Sequence, residues 1–358
     1  MSIWSLLLVT GILFGIQHFL IRIFAFRGLK YSRSVSSTRV TAGDRIRLTE
    51  VLRNDRLFFL PWLLVEGKVS RHCVFGARQD LEVSGDMYHR SFFSLMPFRQ
   101  IKRIHQVTMK RRGRYNLGSL HLTAGDLVGF GAVSREIRED VSVWVYPAFL
   151  PLQVPLLPVL SAQGSMTVLK SLITDPCMIC GIREYLPGDS LRDIHWPATG
   201  RTGMLQVKVH DPSSHIRLMV ILNSQLRPDQ WGTLTETEEE QVEYGISVAA
   251  TVIDWVLKDG GEAGFASDMP CGDEENGLVL LPVSGRDGQE KILAAMSGLR
   301  FRRQKKFVTF LDEMKLHRDL DLLILSVYDD PQLREKMREL EGYHRSVALH
   351  LFQGTTAA

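Results

Sequence analysis

The sequence predicts an N-terminal membrane helix, a β-sandwich and an α/β domain, in that order, within 358 residues. Three observations predict this order: a long apolar run near the start, short alternating segments separated by turn residues, and then strand-like and helix-like segments in alternation. A chain of this length has room for about two packed domains of roughly 150 residues each. The expected boundaries are 1–30 for the anchor, 31–150 for the β-sandwich, 151–213 for a proline-rich connector with a distinctive motif, and 214–358 for the α/β domain.

Composition excludes several classes of protein. Hydrophobic residues make up 45% of the chain and charged residues 23%, which is typical of globular domains and not of disordered chains. The net charge of +3 is too small to indicate a nucleic-acid binder by itself. The cysteines are too few and too scattered for a disulfide framework, so a reducing compartment is expected. They are Cys73, Cys177, Cys180 and Cys271.

Cys177 and Cys180 form a single C-x-x-C pair. One interpretation is half of a metal or redox site, although a closed zinc site needs four ligands and no second pair of this kind follows. The other interpretation is two buried small hydrophobic residues.

The apolar run from Ile3 to Ile21 has no formal charge apart from any on His18, and it is long enough to span a bilayer. No basic residue precedes it, so an uncleaved anchor is expected and not a signal peptide, with a buried core helix as the alternative. Basic residues follow the run, which predicts a single-pass protein of the cell membrane with its soluble domains in the cytoplasm. The same residues are expected to draw this segment to anionic lipid: Arg22, Arg27, Lys30, Arg33 and Arg39.

Residues Thr38 to Pro147 show strand-like alternation, which predicts a β-sandwich of the immunoglobulin or fibronectin type. The clearest strands run from Ile46 to Val51, from Trp62 to Gly67, from Tyr88 to Met96 and from Ile101 to Met109. A basic run, Lys110, Arg111, Arg112 and Arg114, falls between two strands. Since only Tyr115 accompanies it, solvated turn residues are the preferred interpretation over a nucleic-acid site.

Beyond about Ser214, strands and helices alternate, which predicts a mostly parallel sheet with helices on its faces. Ile216 to Leu222 is a continuous apolar run typical of a central strand. A helix is expected to begin at the capping box Thr235 to Glu238 and to end at Gly260. Further strands are expected at 263–266, 278–283, 320–327 and 347–352, and further helices at 292–299 and 331–342.

The most specific motif lies between the two domains. Pro187 and Gly188 suit the centre of a type II turn, which places Asp189 within reach of Arg183 or Arg192. The favoured interpretation is a structural clasp between this carboxylate and an arginine, while a catalytic acid and a phosphate-binding platform stay open. The motif residues singled out as structural or partner-binding are Arg183, Tyr185, Pro187, Gly188, Asp189, Arg192, Ile194, His195, Trp196 and Arg201.

The pattern R-x-Y-x-P-G-D-x-x-R-x-I-H-W, followed by Arg201 and L-x-V-K, resembles the signature of the bacterial domain of unknown function 58 family. Residues 112–118 and 126–130 also resemble segments of that family, although Leu127, Pro197 and Gly200 depart from its pattern. The resemblance implies membrane segments, a β-rich region and an α/β domain similar to the von Willebrand factor type A domain. It also implies work beside MoxR-type AAA+ ATPases, as an adaptor or chaperone in assembling other complexes.

A type A domain that binds Mg²⁺ presents Asp-x-Ser-x-Ser after its first strand, and the corresponding positions here hold Asn223, Gln225 and Arg227. No metal ion is therefore expected at that place, and no cofactor is expected elsewhere. The expected function is a non-enzymatic, membrane-anchored scaffold or adaptor with an AAA+ ATPase partner. ATP hydrolysis would come from that partner, because the chain has no P-loop.

A hydrolase is the alternative function, with Asp189 and His195 as catalytic residues and Ser190 as a candidate nucleophile. The chain has no G-x-S-x-G nucleophile elbow to support it. Nucleic-acid binding is not expected, since Phe301 and Phe307 beside the last basic run are expected to pack inward. That run comprises Arg300, Arg302, Arg303, Lys305 and Lys306. The oligomeric state is left open.

Overall fold

The structure is a computed structural model of the whole chain. It describes residues 3–76, 81–84, 88–125, 131–151, 179–185, 194–210, 216–228, 230, 234–272, 274–302, 305–314, 316–317 and 320–352. The chain divides into two compact units, residues 1–148 with 296–298 and residues 149–295 with 299–358.

The first unit begins with helix α1, Ile3–Phe24, where the sequence predicts the anchor. Among the described residues, no helix has both the length and the apolar character needed to cross a membrane, so the predicted transmembrane span is not supported. Polar residues such as Gln17 and His18 interrupt the apolar run. Large apolar side chains of α1, among them Trp4 and Phe19, are exposed.

Three sheets follow α1 in the first unit, as the alternating pattern predicts. Their strand orders are β1-β3-β8-β5, β11-β10-β4-β7-β6 and β2-β12-β9. Neighbouring strands are antiparallel except β2 and β12, which are parallel. The strands are β1 Leu29–Val35, β2 Arg39–Thr41, β3 Arg45–Asn54, β4 Leu60–Lys68, β5 Cys73–Phe75, β6 Leu81–Ser84, β7 Tyr88–Leu95, β8 Gln100–Met109, β9 Gly113–Asn116, β10 Ser119–Gly125, β11 Ala132–Arg138 and β12 Ser142–Tyr146.

Two apolar clusters hold these sheets together. Strand alternation turns every second side chain of β3 inward, and Leu52 joins Leu63, Phe93 and Leu120 between the four-stranded and five-stranded sheets. This face-to-face packing makes the first unit a β-sandwich. Nearer the start of β3, Ile46 belongs to a second cluster that reaches the three-stranded sheet.

Two arginines that the sequence analysis assigns to the surface are buried, so both assignments are wrong. Arg33, expected to face lipid, falls on the inward face of β1, where its buried side chain pairs with Glu50. Arg112, expected in a solvated turn, is also buried. The turn itself is confirmed, because β8 ends at Met109 and β9 begins at Gly113.

The second unit contains a two-stranded hairpin and a five-stranded sheet of order β17-β16-β15-β18-β19. All neighbours in the larger sheet are parallel except the edge strand β17, which confirms the predicted mostly parallel sheet. Among the described residues of this sheet region, helix α5, Phe307–Glu313, is the one element that the sequence does not predict. The elements are β13 Ile179–Glu184, α2 Trp196–Thr202, β14 Gln206–His210, β15 Arg217–Leu222, α3 Glu236–Lys258, β16 Glu262–Ser267, β17 Leu278–Val283, α4 Gly285–Ser297, α5 Phe307–Glu313, β18 Asp321–Ser326, α6 Pro331–Glu341 and β19 Ser346–Leu351.

Helix α3 shows how local sequence signals fix this unit. Thr235 and Glu238 form the predicted capping box, in which the Glu238 carboxylate accepts the Thr235 N–H at 2.9 Å. The apolar side chains on one face, including Val242 and Ile246, are buried, and α3 packs on β15 and β16. The chain leaves α3 through Gly260, whose φ of +85° lies in the left-handed region that glycine tolerates.

Candidate functional site

The described part of the distinctive motif is a strand hairpin that holds one short helix. β13 pairs antiparallel with β14, which sets Arg183 opposite Val207. Ile194 makes a separate bridge to the same Val207 and is buried. β14 therefore lies between β13 and Ile194, which precedes the first residue of α2 by two positions.

His195 is the residue that fixes α2 to this hairpin. Its backbone N–H donates to the Gln206 carbonyl at 2.8 Å, and its Nδ1 accepts the N–H of Ala198 at 3.1 Å. A ring that accepts at Nδ1 carries its proton on Nε2 when neutral. Thr199 adds a second link, since its hydroxyl donates to the His195 carbonyl and accepts the Gln206 N–H. The histidine thus acts as the N-cap of α2, which is a structural role.

The other motif residues divide into described and undescribed groups. Arg183 and Arg201 are exposed, and Tyr185 is half-buried. The residues Pro187, Gly188, Asp189, Ser190 and Arg192 lie outside the described residues. The clasp between Asp189 and an arginine therefore stays a prediction.

Exposed apolar residues stand at the start of α2 and just after its end, and we call Trp196, Met204 and Leu205 the signature patch. The Trp196 side chain is 67% exposed, and the other two are also exposed. The backbone hydrogen bond from the His195 N–H to the Gln206 carbonyl brings the residue after Leu205 next to the residue before Trp196. An exposed tryptophan among apolar neighbours is the composition that protein interfaces favour.

The second candidate place is the edge of the five-stranded sheet where β15, β16 and β18 end, which we call the carboxyl edge. Ligands of open α/β sheets bind at such edges. Asp268, directly after β16, accepts the Ser224 N–H at 2.9 Å and the Ser224 hydroxyl at 2.8 Å. Asn223, directly after β15, donates from Nδ2 to the Ser326 hydroxyl at 3.1 Å. Side chains thus tie the three strand ends together.

The remaining altered ligand positions are also engaged within the chain. The Gln225 N–H donates to Asn223 Oδ1 at 2.9 Å, and Gln225 Oε1 accepts the Phe307 N–H at 3.1 Å. Arg227 donates to Glu238 at 2.9 Å, next to the start of α3. The backbone hydrogen bond from Thr235 and the contact with Arg227 lower the pKa of Glu238.

Chemically, the carboxyl edge is a network of amides and hydroxyls that hold one another. The sequence marks Asn223, Gln225 and Arg227 as candidate positions, but Asp268 and Ser326 are not predicted from it. Asp268 is 44 residues from its partner Ser224. The available signal is that Asp268 lies two residues after the strand predicted at 263–266, and parallel strands place such residues at a common edge.

The cysteine predictions are tested only in part. Cys73 is buried, and its burial raises the pKa of the thiol to about 11, which keeps it protonated. Cys271 donates to the Ala295 carbonyl. Cys177 lies outside the described residues, so the C-x-x-C pair stays open.

Comparison with known proteins gives a family for the second half of the chain. Residues 181–355 match the family described as "Protein of unknown function DUF58". The chain is also 23% identical over 268 residues to the "Uncharacterized protein YeaD" of Bacillus subtilis (strain 168). This alignment covers 75% of the chain and 61% of that relative.

Two solved structures that this chain resembles each cover 34% of it. A C-terminal portion of native alpha-2-macroglobulin from Escherichia coli is 9% identical and covers 34% of this chain and 24% of its own, with a TM-score of 0.27. A CARDB domain from Pyrococcus furiosus is 13% identical and covers 34% of this chain and 96% of its own, with a TM-score of 0.21. TM-scores this low establish no shared fold.

Proposed function

We propose that this chain is a non-enzymatic adaptor attached to the cell membrane. The proposal starts from the match of residues 181–355 to the DUF58 family. The adaptor works with a MoxR-type AAA+ ATPase in assembling or chaperoning other complexes. Within this proposal the parallel sheet unit is of the von Willebrand factor type A kind, and the sandwich is of the immunoglobulin or fibronectin kind. The family resemblance is what supports a MoxR-type AAA+ ATPase as the partner.

The signature patch is the observation that carries the adaptor role. Trp196 is the first residue of α2. This helix is capped at its start by His195 and ends at Gly203, whose φ is +73°. A rigid mounting lowers the entropy lost when an exposed side chain is ordered in a complex. The motif thus presents a preorganised apolar anchor to a protein partner.

Membrane attachment is supported by the loops that meet the end of α1. We call residues 55–58 and 96–99 the α1-end loops. The Arg56 guanidinium donates to the Ala25 carbonyl at 2.6 Å, and the Phe98 N–H donates to the Arg56 carbonyl at 3.2 Å. These bonds fix both loops beside the chain that leaves the apolar helix.

The α1-end loops expose side chains suited to a lipid interface. Leu57 is 80% exposed and Phe98 is 65% exposed, with exposed Met96 beside them. Phe98 has a φ of 54°, a conformation that costs energy in a residue other than glycine. Exposed Arg27 and Arg99 add positive charge that anionic lipid attracts. Attachment through these loops does not require α1 to span the bilayer, and we place the soluble units on the cytoplasmic side.

The adaptor proposal is tested with the purified full chain and the purified MoxR-type ATPase of the same organism. We expect measurable binding, a change in ATPase turnover, and a loss of affinity of at least about thirtyfold in Trp196→Ala. Phe92→Ala, which removes an exposed aromatic ring outside the motif, is the matched control and should bind normally. Absence of binding by the unaltered chain overturns the proposal, and substrate hydrolysis by the chain alone, lost in Asp189→Asn, would establish the hydrolase instead.

Membrane attachment is tested separately with vesicles that contain anionic lipid. We expect the full chain to float with the vesicles, and the double variant Leu57→Asp with Phe98→Asp to bind more weakly. Leu281→Asp alters an exposed leucine of β17 and serves as the control. A reporter active only in the cytoplasm, fused after Ala358, should work in cells. Equal binding by the loop variant and the control would remove the loops from the proposal.

A further inference from the structure

A polar cluster lies inside the β-sandwich, between its two apolar clusters. Glu50 on β3 and His105 on β8 belong to the four-stranded sheet, and His89 on β7 belongs to the five-stranded sheet. All three side chains are buried. One possible ligand atom from each residue lies within 4.8 Å of those of the other two.

The two oxygens of Glu50 face different partners. Oε1 accepts the Tyr31 hydroxyl at 2.8 Å and lies 3.5 Å from Nη2 of Arg33. Oε2 lies 2.9 Å from Nε2 of His105 and accepts the Ser91 hydroxyl at 3.2 Å. Burial raises the pKa of Glu50, but the His105 hydrogen bond and the Arg33 charge outweigh it and lower the pKa to about 2. The carboxylate is therefore charged, with its Oε2 side turned toward the histidines.

His89 is the anomaly in this cluster. Its side chain is fully buried, and neither ring nitrogen has a hydrogen-bond partner among the residues that the structure describes. The His89 ring stacks on the Phe75 ring, with 4.6 Å between the ring centroids, and its centroid lies 4.9 Å from that of His105, which it meets edge-on. A buried polar group without a partner is costly, so such a group in a folded protein points to a ligand or a bound ion.

We propose that Glu50, His89 and His105 bind a divalent transition-metal ion, with Zn²⁺ as the best fit. Two imidazoles and one carboxylate form a ligand set that zinc uses in proteins. Each histidine offers one ring nitrogen to this set, and a ring nitrogen that is not protonated is a ligand atom that zinc accepts. The ion supplies the partner that His89 lacks.

The geometry needs only side-chain adjustment to reach metal coordination. Ligand atoms of a tetrahedral zinc site lie about 3.3 Å apart, given bonds of about 2.0–2.1 Å. The hydrogen bond between His105 and Glu50 opens slightly, and His89 moves closer, while Ser91 or a water molecule completes the site. Arg33 and Tyr31 stay on Oε1 and orient the carboxylate from behind, as outer partners of metal ligands commonly do.

Because all three ligands are buried, the ion binds as the sandwich folds, and its effect is on stability. The three ligands come from both sheets of the sandwich, so the complete set exists only when the sheets have packed together. Metal binding in such a site is coupled to folding, and its effect is structural. The ion would link β3, β7 and β8 across the sandwich core.

The experiment uses the full chain, purified without a histidine tag, unfolded in denaturant with a chelator, and refolded with one equivalent of Zn²⁺ or Co²⁺. We expect about one ion per chain after desalting, visible absorption bands of tetrahedral Co²⁺, and a higher unfolding midpoint than that of the metal-free protein. Absence of both stoichiometric metal and Co²⁺ bands overturns the proposal.

Variants locate the ion. His105→Gln keeps a donor to Glu50 Oε2 but is a poor ligand, so we expect a folded protein that has lost the ion and the Co²⁺ bands. His89→Leu should lose them as well. His121→Gln alters an exposed histidine on β10 of the same unit and should keep both signals. Equal metal binding in His105→Gln and in the unaltered chain would place the ion elsewhere and overturn the site.

Discussion

The carboxyl edge of the parallel sheet and the core of the β-sandwich both bury polar side chains, but they satisfy them differently. At the carboxyl edge, Asn223, Ser224 and Gln225 each have partners within the chain, and Asp268 accepts two hydrogen bonds from Ser224. In the sandwich core, Glu50 has four polar partners, while neither ring nitrogen of His89 has a hydrogen-bond partner among the described residues.

This difference separates two uses of buried polarity. Mutually satisfied amides and hydroxyls hold strand ends in place and leave little capacity for a further ligand. A charged carboxylate beside an unpartnered imidazole leaves that capacity open. The carboxyl edge, where the sequence suggests a lost metal site, is therefore the less suitable of the two places for an ion. The sandwich core, whose sequence shows only apolar alternation, holds the more suitable set of ligands.

The largest expected effect concerns the Glu50 carboxylate, which compensates the buried charge of Arg33. Glu50→Gln keeps an acceptor for Tyr31 but leaves the guanidinium without an anion, so we expect a loss of about 3–5 kcal/mol in the free energy of unfolding. The measurement is urea unfolding of chelator-treated protein, followed by hydrogen exchange in β3 and β8.

Glu66→Gln is the matched control, because Glu66 pairs with Arg90 at 2.8 Å on a partly exposed face. Its loss should be at most about 1 kcal/mol. If both substitutions cost the same, the core ion pair has no special weight and the contrast between the two regions fails.

A smaller effect is expected at the carboxyl edge. Asp268→Ala removes the carboxylate that accepts the buried N–H and hydroxyl of Ser224, which should cost about 1–3 kcal/mol. A double-mutant cycle with Ser224→Ala measures the coupling, which we expect at about 0.5–3 kcal/mol. Additive losses would mean that Asp268 acts through other neighbours and does not tie β15 to β16.

The motif hairpin should respond more weakly than either buried network. His195→Ala removes the N-cap of α2 and should cost about 0.5–2 kcal/mol, while His195→Asn keeps a capping oxygen and should cost less. Thermal unfolding of the full chain measures the stability of the unaltered protein, His195→Asn and His195→Ala, which should fall in that order. A stable His195→Ala protein that has lost an enzymatic activity would contradict the structural role and support the hydrolase.

Local signals allowed much of the second unit to be predicted from sequence. The capping box at Thr235 and the proline at the start of α6 act within a few residues, and the apolar run of β15 is continuous because both faces of a parallel sheet are covered. The inward packing expected of Phe307 is confirmed, but helix α5 is not predicted, because the basic run before it suggests a solvated surface.

The core cluster of the first unit was not predictable in the same way. His105 follows Glu50 by 55 residues, and no local spacing marks either residue as a ligand. Arg33 reads as one of several juxtamembrane basic residues until the pairing of β1 with β3 turns it inward toward Glu50. Register between distant strands decides which polar residues meet, and register is a property of the folded sheets.

The smallest expected effect tests a buried carboxyl at the other end of β18 from the carboxyl edge. Burial raises the pKa of Asp321, although the hydrogen bond from Ser346 at 2.7 Å and the charge of Arg345 oppose the shift. Because the folded state holds this proton more tightly than the unfolded chain, its contribution to stability is present below the ordinary pKa of 3.8 and is lost as pH rises through the raised pKa. Asp321→Asn keeps an acceptor for Ser346 and cannot ionise, so it should be more stable than the unaltered chain at pH 7, by at most about 1 kcal/mol. The advantage should shrink as pH falls through that window in urea titrations at several pH values. An advantage that grows in acid would mean that Asp321 is stabilised as the anion.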